Sequence, residues 1–578
     1  MNSKKYKDVL YQMRYINDLR DMVHSSAEMF GDKTSFLVKD KPRGEYRPIT
    51  FNQLKSDIDH LGTKLVEMGL KDKKVAIIGE NSYKWVVTYL AVTNGTGVIV
   101  PLDKELTGIE IRNLLERAKV DAIVFSGKMK KKLIADIEAV GGIDIKIDMD
   151  AKEDEEGIIR WDSLLEEGKA LLDGGDKRFV EAVIDREAMC TLLFTSGTTG
   201  QSKGVMLSHK NISANVYNMS KYVNIRRGGG LSVLPMHHTY ELTCHVFTAI
   251  YQGVFVAICE GLRYIQPNLK ESGASVMLGV PIVFETMHKK VWKQAEASGA
   301  ADKMKKMMAL SRRTKMFNQP KVMRKVFDKI HSSLGGNIDL FIAGGAAINP
   351  DVIRDYEALG IPMIQGYGMT ENAPIIAVNK DYYSKADSVG MPLPGTEVKI
   401  IDQDEEGVGE IIVKGPSVMI GYYDNPEATE EVLKDGWLYT GDYGRFDDEG
   451  FLYLCGRKKF VIVTKNGKNI FPEEIEALLM EEPFIEEVLV YGTVDKSDGD
   501  AIVRAEVFPN YDALKEQLGE ITEDGIKDAI KACIENVNDK MPTYKRVKRF
   551  KLREEEFEKT STRKIKRAGG SIREEDEE

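Results

Sequence analysis

Between about residue 50 and residue 190 the chain alternates amphipathic helical patterns with short apolar strands. The helical run "LKSDIDHLGTKLVEMGL" ends near a glycine and is followed by "KVAIIG". "SYKWVVTYLAVTNG" leads to "GVIVPL", and "IRNLLERAKV" leads to "DAIVFS". Strands that alternate with helices in this way predict a parallel, doubly wound sheet. Such sheets bind ligands beyond the carboxyl ends of their strands.

One loop falls at such an end. "FTSGTTGQSKGV", Phe194–Val205, holds three glycines, five hydroxyl side chains, one lysine and no acid. It has few side chains to bury, whereas bare N–H groups, hydroxyls and a cation suit a polyphosphate. A Gly/Ser/Thr-rich run is more often a linker or plain turn. Here the strand Cys190–Phe194 runs in and structure resumes at Val205, so a mid-chain linker does not fit. The ATPase loop G-x-x-x-x-G-K-[ST] does not match either, because Gln201 and Ser202 separate Gly200 from Lys203. The expectation is a phosphate-binding loop of another kind.

Composition narrows the classes. At 578 residues the chain exceeds one core, and roughly two to four domains are expected. A net charge of −10 argues against general nucleic-acid binding. Five scattered cysteines without zinc spacing point to a reduced, cytoplasmic protein. The N-terminus lacks an apolar signal core. The most apolar stretch, Leu242–Cys259, is interrupted by His245, Gln252 and Gly253, so it predicts a buried helix and a strand. Between Met287 and His331 lies a basic, Met-rich insert, read either as a solvated helical pair or as a surface that rests on anionic lipid. Beyond Gly395 the pattern turns β-rich, and the final "REEDEE" predicts a disordered acidic tail.

Five further stretches lie far apart: "YGMTE" at Tyr367–Glu371, "YTGD" at Tyr439–Asp442, "GRKKF" at Gly456–Phe460, "NGKNIFPEEIE" at Asn466–Glu476, and "KTSTRKIKR" near the C-terminus. With the loop, and in this order, they resemble the motifs of the adenylate-forming superfamily of acyl-CoA synthetases, luciferases and peptide-synthetase adenylation domains. The resemblance covers nearly the whole chain. The insert and "LPMHHTYE" look most like the long-chain fatty acyl-CoA synthetase branch. The fold implied is α/β: a large N-terminal domain with doubly wound sheets plus a β-rich subdomain, and a small mobile α+β C-terminal domain. The boundaries expected are 1–455, 456–570 and a tail at 571–578.

The resemblance also implies a chemistry. A fatty acid carboxylate attacks the α-phosphorus of ATP, pyrophosphate leaves, and coenzyme A then takes the acyl group from the adenylate. Thr195, Ser196, Gly197, Thr198, Thr199, Gly200 and Lys203 would hold the β- and γ-phosphates, the glycines letting backbone donors approach. Glu371 would hold Mg²⁺ with Thr195, and Thr370 would touch the α-phosphate. Tyr367 would stack on adenine within a pocket of Gly345, Ala346, Gln365, Gly366 and Gly368. Asp442 would accept from the ribose hydroxyls with Arg457 nearby. Lys564 would reach the reacting carboxylate and α-phosphate, Gly467 would border the coenzyme A path, and Lys459 would be the hinge. His238 would wall the acyl site beside Gly366. His237 is expected to point away from it, since neighbours on a strand face opposite sides.

Departures from the family pattern are Ser202 for a frequent proline, Glu241 for a glycine, Phe460 for an acid and Arg563 for a glycine. None removes a charge the chemistry needs. Two other outcomes share these motifs: loading of an acyl carrier protein, and a non-catalytic nucleotide-binding relic. The presence of Lys203, Glu371, Asp442, Arg457 and Lys564 together weighs against the relic. ATP, Mg²⁺ and coenzyme A are the implied cofactors, and the sequence sets no oligomeric state.

Overall fold

A computed structural model describes residues 9–153, 155–195, 202–225, 228–465, 468–494, 501–519, 522–559, 565–567 and 572–573. The chain divides into two compact units, Met1–Glu397 with Val413–Leu438, and Val398–Ile412 with Tyr439–Glu578.

Among the described residues the first unit holds an eight-stranded and a nine-stranded sheet. The eight-stranded sheet runs, edge to edge, through Gly421–Tyr422, Lys203–Ser208, Met189–Thr195, Val98–Leu102, Lys74–Ile78, Ala122–Phe125, Ile145–Asp148 and Ile159–Arg160. Its members from Met189–Thr195 to Ile159–Arg160 pair in parallel, as the helix–strand alternation predicts. Strand residues such as Val75, Ile77, Val100, Ile123 and Val124 are buried, each contributing roughly 1.5–3 kcal/mol of burial. The first two members, Gly421–Tyr422 and Lys203–Ser208, pair antiparallel, so the glycine-rich loop joins a hairpin of Met189–Thr195 and Lys203–Ser208.

The nine-stranded sheet has a parallel centre of Leu340–Ala343, Val276–Gly279, Gly230–Ser232 and Val256–Ile258. Met363–Gly368 extends it in parallel, and Ile375–Val378 then turns back. The apolar stretch from Leu242 is a buried helical segment, partly π-helical over Leu242–Phe247, followed by the strand Val256–Ile258. The basic insert folds as helices Ala301–Thr314 and Pro320–Val326. Met304, Met308 and Met323 turn inward to a core shared with Phe284, Phe341 and Tyr356.

In the second unit, Ile485–Val494 and Ala501–Pro509 pair as a long antiparallel hairpin, flanked in parallel by Val547–Leu552 and Ile572–Arg573. Helices Pro472–Leu479 and Glu523–Asn538 contribute Ile475, Leu479, Ile530, Ile534 and Val537 to its core. Trp437–Phe446 pairs with Leu452–Arg457, which brings Asp442 opposite Arg457.

Candidate active site

Parallel Val98–Leu102 and Met189–Thr195 end together, and Thr195 closes the second of them. Thr195 faces Lys203 across the hairpin, and its hydroxyl donates to the Lys203 carbonyl at 3.4 Å. Ser196, Gly197, Thr198, Thr199 and Gly200 lie outside the described residues, as do Gly467, Arg563 and Lys564. The Lys203 ammonium sits 4.9 Å from the centre of the Tyr422 ring. The Tyr422 hydroxyl donates to Oε1 of Glu371 at 2.9 Å. One tyrosine therefore touches both the lysine and the carboxylate that the motifs single out.

Glu371 is held by its own backbone. It sits in a 3-10 turn, Thr370–Asn372, directly after the strand Met363–Gly368. Asn372 N–H closes that turn on the Met369 carbonyl at 2.9 Å. Buried Asn215 donates to the carbonyls of Asn372 and Ile375, which fixes where the turn leaves the sheet. Thr370 and Glu371 remain partly exposed. Among the described residues no group of three His, Cys, Asp or Glu is placed to hold a metal ion. The side-chain groups that meet there, the Glu371 carboxylate and the Tyr422 hydroxyl, are oxygens. That fits a small hard cation which takes its other oxygens from water and a bound phosphate.

The same strand carries Gln365, Gly366 and Tyr367. Gln365 is buried and donates to the Ala386 carbonyl at 2.6 Å. Tyr367 is 7% exposed and lies opposite Ala377. Gly345 has φ of +84°, which favours glycine. At its neighbour Gly344 an added Cβ would stand 2.7 Å from Cζ of Tyr240. Gly344 thus admits Tyr240, whose hydroxyl donates to the Ile342 carbonyl at 2.9 Å. Burial pushes the Tyr240 phenol well above its ordinary range, so it remains a neutral donor.

Behind Gly366 lies an apolar cavity of about 20 Å³, bordered by Tyr240, Cys244, Thr248, Leu278 and Val378. That is room for about one water molecule. An acyl chain entering here would have to displace side chains, and Tyr240 is the largest of them. The expected separation of His237 from His238 does not hold. His237 and His238 lie in a turn after Gly230–Ser232, not on a strand, and their rings are 4.3 Å apart. The alternation that would separate them does not apply in a turn. His237 also lies 3.5 Å from Asp103, at the end of Val98–Leu102.

Within the second unit, Arg457 Nε meets Asp442 Oδ1 at 2.8 Å. Asp442 is 7% exposed, and the Thr440 hydroxyl accepts from its backbone N–H. Lys459 occupies the 3-10 turn Lys458–Phe460. Burial, with Arg457 and Arg567 nearby, lowers its ammonium to about 8. In the unfolded chain a lysine holds its proton to about 10.4. The folded state therefore binds fewer protons between these values, and stability rises with pH across that window. Because Lys459 is exposed, solvent screens the effect to about 1 kcal/mol. Lys459→Met should be the more stable protein at pH 7 and should lose the rise. Thermal melts from pH 7 to 10.5 test this, and parallel curves for both proteins would refute it. Lys559 and Ile565, which flank the segment carrying Lys564, pair as antiparallel partners.

Sequence reasoning missed Tyr422, which lies in "GYYDNPEAT". Nothing in that stretch announces a site. Its significance comes from pairing with Val205, beside Lys203.

Comparison with known proteins gives a consistent result. The family described as AMP-binding enzyme matches residues 23–423, and the AMP-binding enzyme C-terminal domain matches 459–571. A long-chain-fatty-acid–CoA ligase of Rattus norvegicus is 30% identical over 82% of this chain and 74% of its own. A long-chain-fatty-acid–[acyl-carrier-protein] ligase of Arabidopsis thaliana is 27% identical over 89% of this chain and 78% of its own. Among solved structures, the o-succinylbenzoate CoA synthetase of Bacillus subtilis with its acyl-adenylate superposes with a TM-score of 0.72 at 21% identity. It covers 94% of this chain and 96% of that one, so the likeness is one of fold.

Proposed function

The chain belongs to the AMP-binding enzyme family, and from that premise we propose that it is an AMP-forming fatty acid–thiol ligase. One observation carries the reading. The strand Met363–Gly368 borders an apolar cavity at Gly366 and leads directly into the turn that holds Glu371 beside Tyr422 and Lys203. An apolar interior with a charged rim suits an acid with an apolar tail.

In the first step a carboxylate oxygen forms a bond to the α-phosphorus while the bond to pyrophosphate breaks. In the second the coenzyme A sulfur bonds to the acyl carbon, AMP leaves with the electron pair, and the thiol proton is released. The carboxylate is already ionised, so no side-chain nucleophile is needed. The protein positions groups and stabilises charge. Lys203, Thr195 and the loop residues would bind the β- and γ-phosphates, and Thr370 the α-phosphate. Mg²⁺, held at Glu371, would supply neutralisation of the triphosphate. Gly345, Ala346, Gln365, Tyr367 and Gly368 would take the base, and Asp442, fixed by Arg457, the ribose. His238 would wall the acyl entrance. Lys564 and Gly467 would serve the first and second steps on a C-terminal domain that turns at Lys459.

Pyrophosphate release with acids from acetate to oleate tests the reading. Release should rise with chain length, and none with any acid would end it. The Arabidopsis relative favours a second reading, transfer to a carrier protein. AMP formation with free coenzyme A against a holo-carrier separates the two.

No helix among the described residues is long and apolar enough to cross a membrane. Weak peripheral attachment through the basic insert is part of the proposal. Between Pro281 and Ser333 the chain has thirteen Lys or Arg against four Asp or Glu. Of the cations in Ala301–Thr314, Arg312 is engaged with Asp355 and Lys305 lies over Trp292. Lys306, Leu310 and Arg313 share its exposed face, and Lys321 and Lys325 are exposed on the next helix. Each basic residue near an anionic bilayer contributes on the order of 1 kcal/mol. A Lys306→Glu, Arg313→Glu, Lys321→Glu, Lys325→Glu variant should lose salt-sensitive cosedimentation with anionic vesicles. Equal binding by both proteins would remove the insert from the proposal.

A further inference from the structure

We propose that Tyr422 is a positioning residue for the first reaction step, setting the rotation of the Glu371 carboxylate with its hydroxyl and the place of the Lys203 ammonium with its ring. The inference rests on the proposed roles of Glu371 and Lys203. Its basis is one side chain engaged at both ends: hydroxyl to Glu371 Oε1 at 2.9 Å, ring face to Lys203 Nζ at 4.9 Å.

The side chain is fixed by backbone on both sides. Ile420 N–H donates to the Met206 carbonyl at 3.0 Å and Tyr423 N–H to the Gly204 carbonyl at 2.7 Å. Between them, Tyr422 N–H donates to the Thr429 hydroxyl at 2.9 Å. Asn211 holds the approach to this strand through the carbonyls of Pro416 and Val418, each at 2.8 Å. Met419 N–H donates to the Glu371 carbonyl at 2.8 Å, so the tyrosine and the acid share one scaffold. Tyr422 is 7% exposed, which leaves its ring little room to turn.

The terminal torsion of a glutamate is broad, with two-fold symmetry and no strong preference. A donor fixed on Oε1 removes that freedom and directs Oε2 to whatever Glu371 binds. A hydrogen bond to a charged group is worth about 1.5–3 kcal/mol, roughly a 10- to 100-fold effect on affinity. The ring contributes separately, through attraction of the ammonium to its face. The two ends of Tyr422 are therefore separable by substitution.

Two equilibrium measurements distinguish them: Mn²⁺ binding to the protein–ATP complex by electron paramagnetic resonance, and ATP binding in EDTA by calorimetry. Tyr422→Phe keeps the ring and should weaken Mn²⁺ roughly 10-fold or more, with ATP binding in EDTA unchanged. Tyr422→Leu should weaken both. Glu371→Gln is the control for the site itself. If Glu371→Gln weakens Mn²⁺ and Tyr422→Phe does not, Tyr422 has no positioning role. If neither weakens Mn²⁺, the proposed role of Glu371 has failed as well. If Tyr422→Phe loses ATP binding in EDTA too, the hydroxyl supports the fold and the proposal is overturned.

Discussion

Lys564→Ala should slow acyl-adenylate formation by ~10²–10³ and leave conversion of supplied acyl-adenylate to thioester near the wild-type rate. The first figure is that for losing one donor aimed at developing transition-state charge. The second follows from space. On the family reading Lys564 meets the carboxylate and α-phosphate during adenylation, and the thiol must later occupy the volume its loop fills. On that reading the C-terminal domain would have to turn, and the residues bordering the thiol path would come from another of its faces. Gly467→Leu should show the reverse pattern, since a side chain would obstruct that path without touching ATP. Lys459→Pro, by fixing φ in the turn Lys458–Phe460 that the resemblance names as the hinge, should impair mainly one step. Pyrophosphate exchange reads the first reaction, and coenzyme A consumption from synthetic acyl-adenylate reads the second. If Lys564→Ala and Gly467→Leu each lose both activities in equal proportion, this protein does not use a turning domain.

The parallel sheets were legible because their signal is local. A helix of period 3.6 followed by a strand such as Lys74–Ile78 states its own connection. The glycine-rich loop was legible for the same reason, and its placement after Met189–Thr195 followed from the strand before it. Tyr422 was not legible. Its role depends on the antiparallel pairing of Gly421–Tyr422 with Lys203–Ser208, a contact between segments more than 200 residues apart. The expected separation of His237 from His238 failed for a different reason: "PMHH" follows a strand of only three residues, so the turn begins sooner than the apolar pattern suggests. In the basic insert, composition counts Arg312 with the other cations. Only the fold shows that Asp355, on the helix Pro350–Ala358, engages it.

Glu371→Gln should reduce pyrophosphate exchange roughly 10²–10³-fold, since a hard cation at a triphosphate supplies several kcal/mol of charge stabilisation. The substitution keeps shape, and the amide oxygen can still accept from the Tyr422 hydroxyl. What it removes is the full negative charge that the protein would bring to the cation, where Thr195 would offer only a neutral hydroxyl. The loss should appear in both directions of the first step, because the triphosphate and its products pass through the same electrostatic field. Raising Mg²⁺ should recover part of the rate, as a neutral oxygen ligand still binds weakly. Conversion of synthetic acyl-adenylate to thioester has no triphosphate and should be unaffected. That contrast separates loss of metal binding from loss of fold, which would lower both reactions. Wild-type exchange by Glu371→Gln at ordinary Mg²⁺ would show that the carboxylate beside Tyr422 holds no metal, and the charge opposing the triphosphate would then fall to Lys203 and the loop.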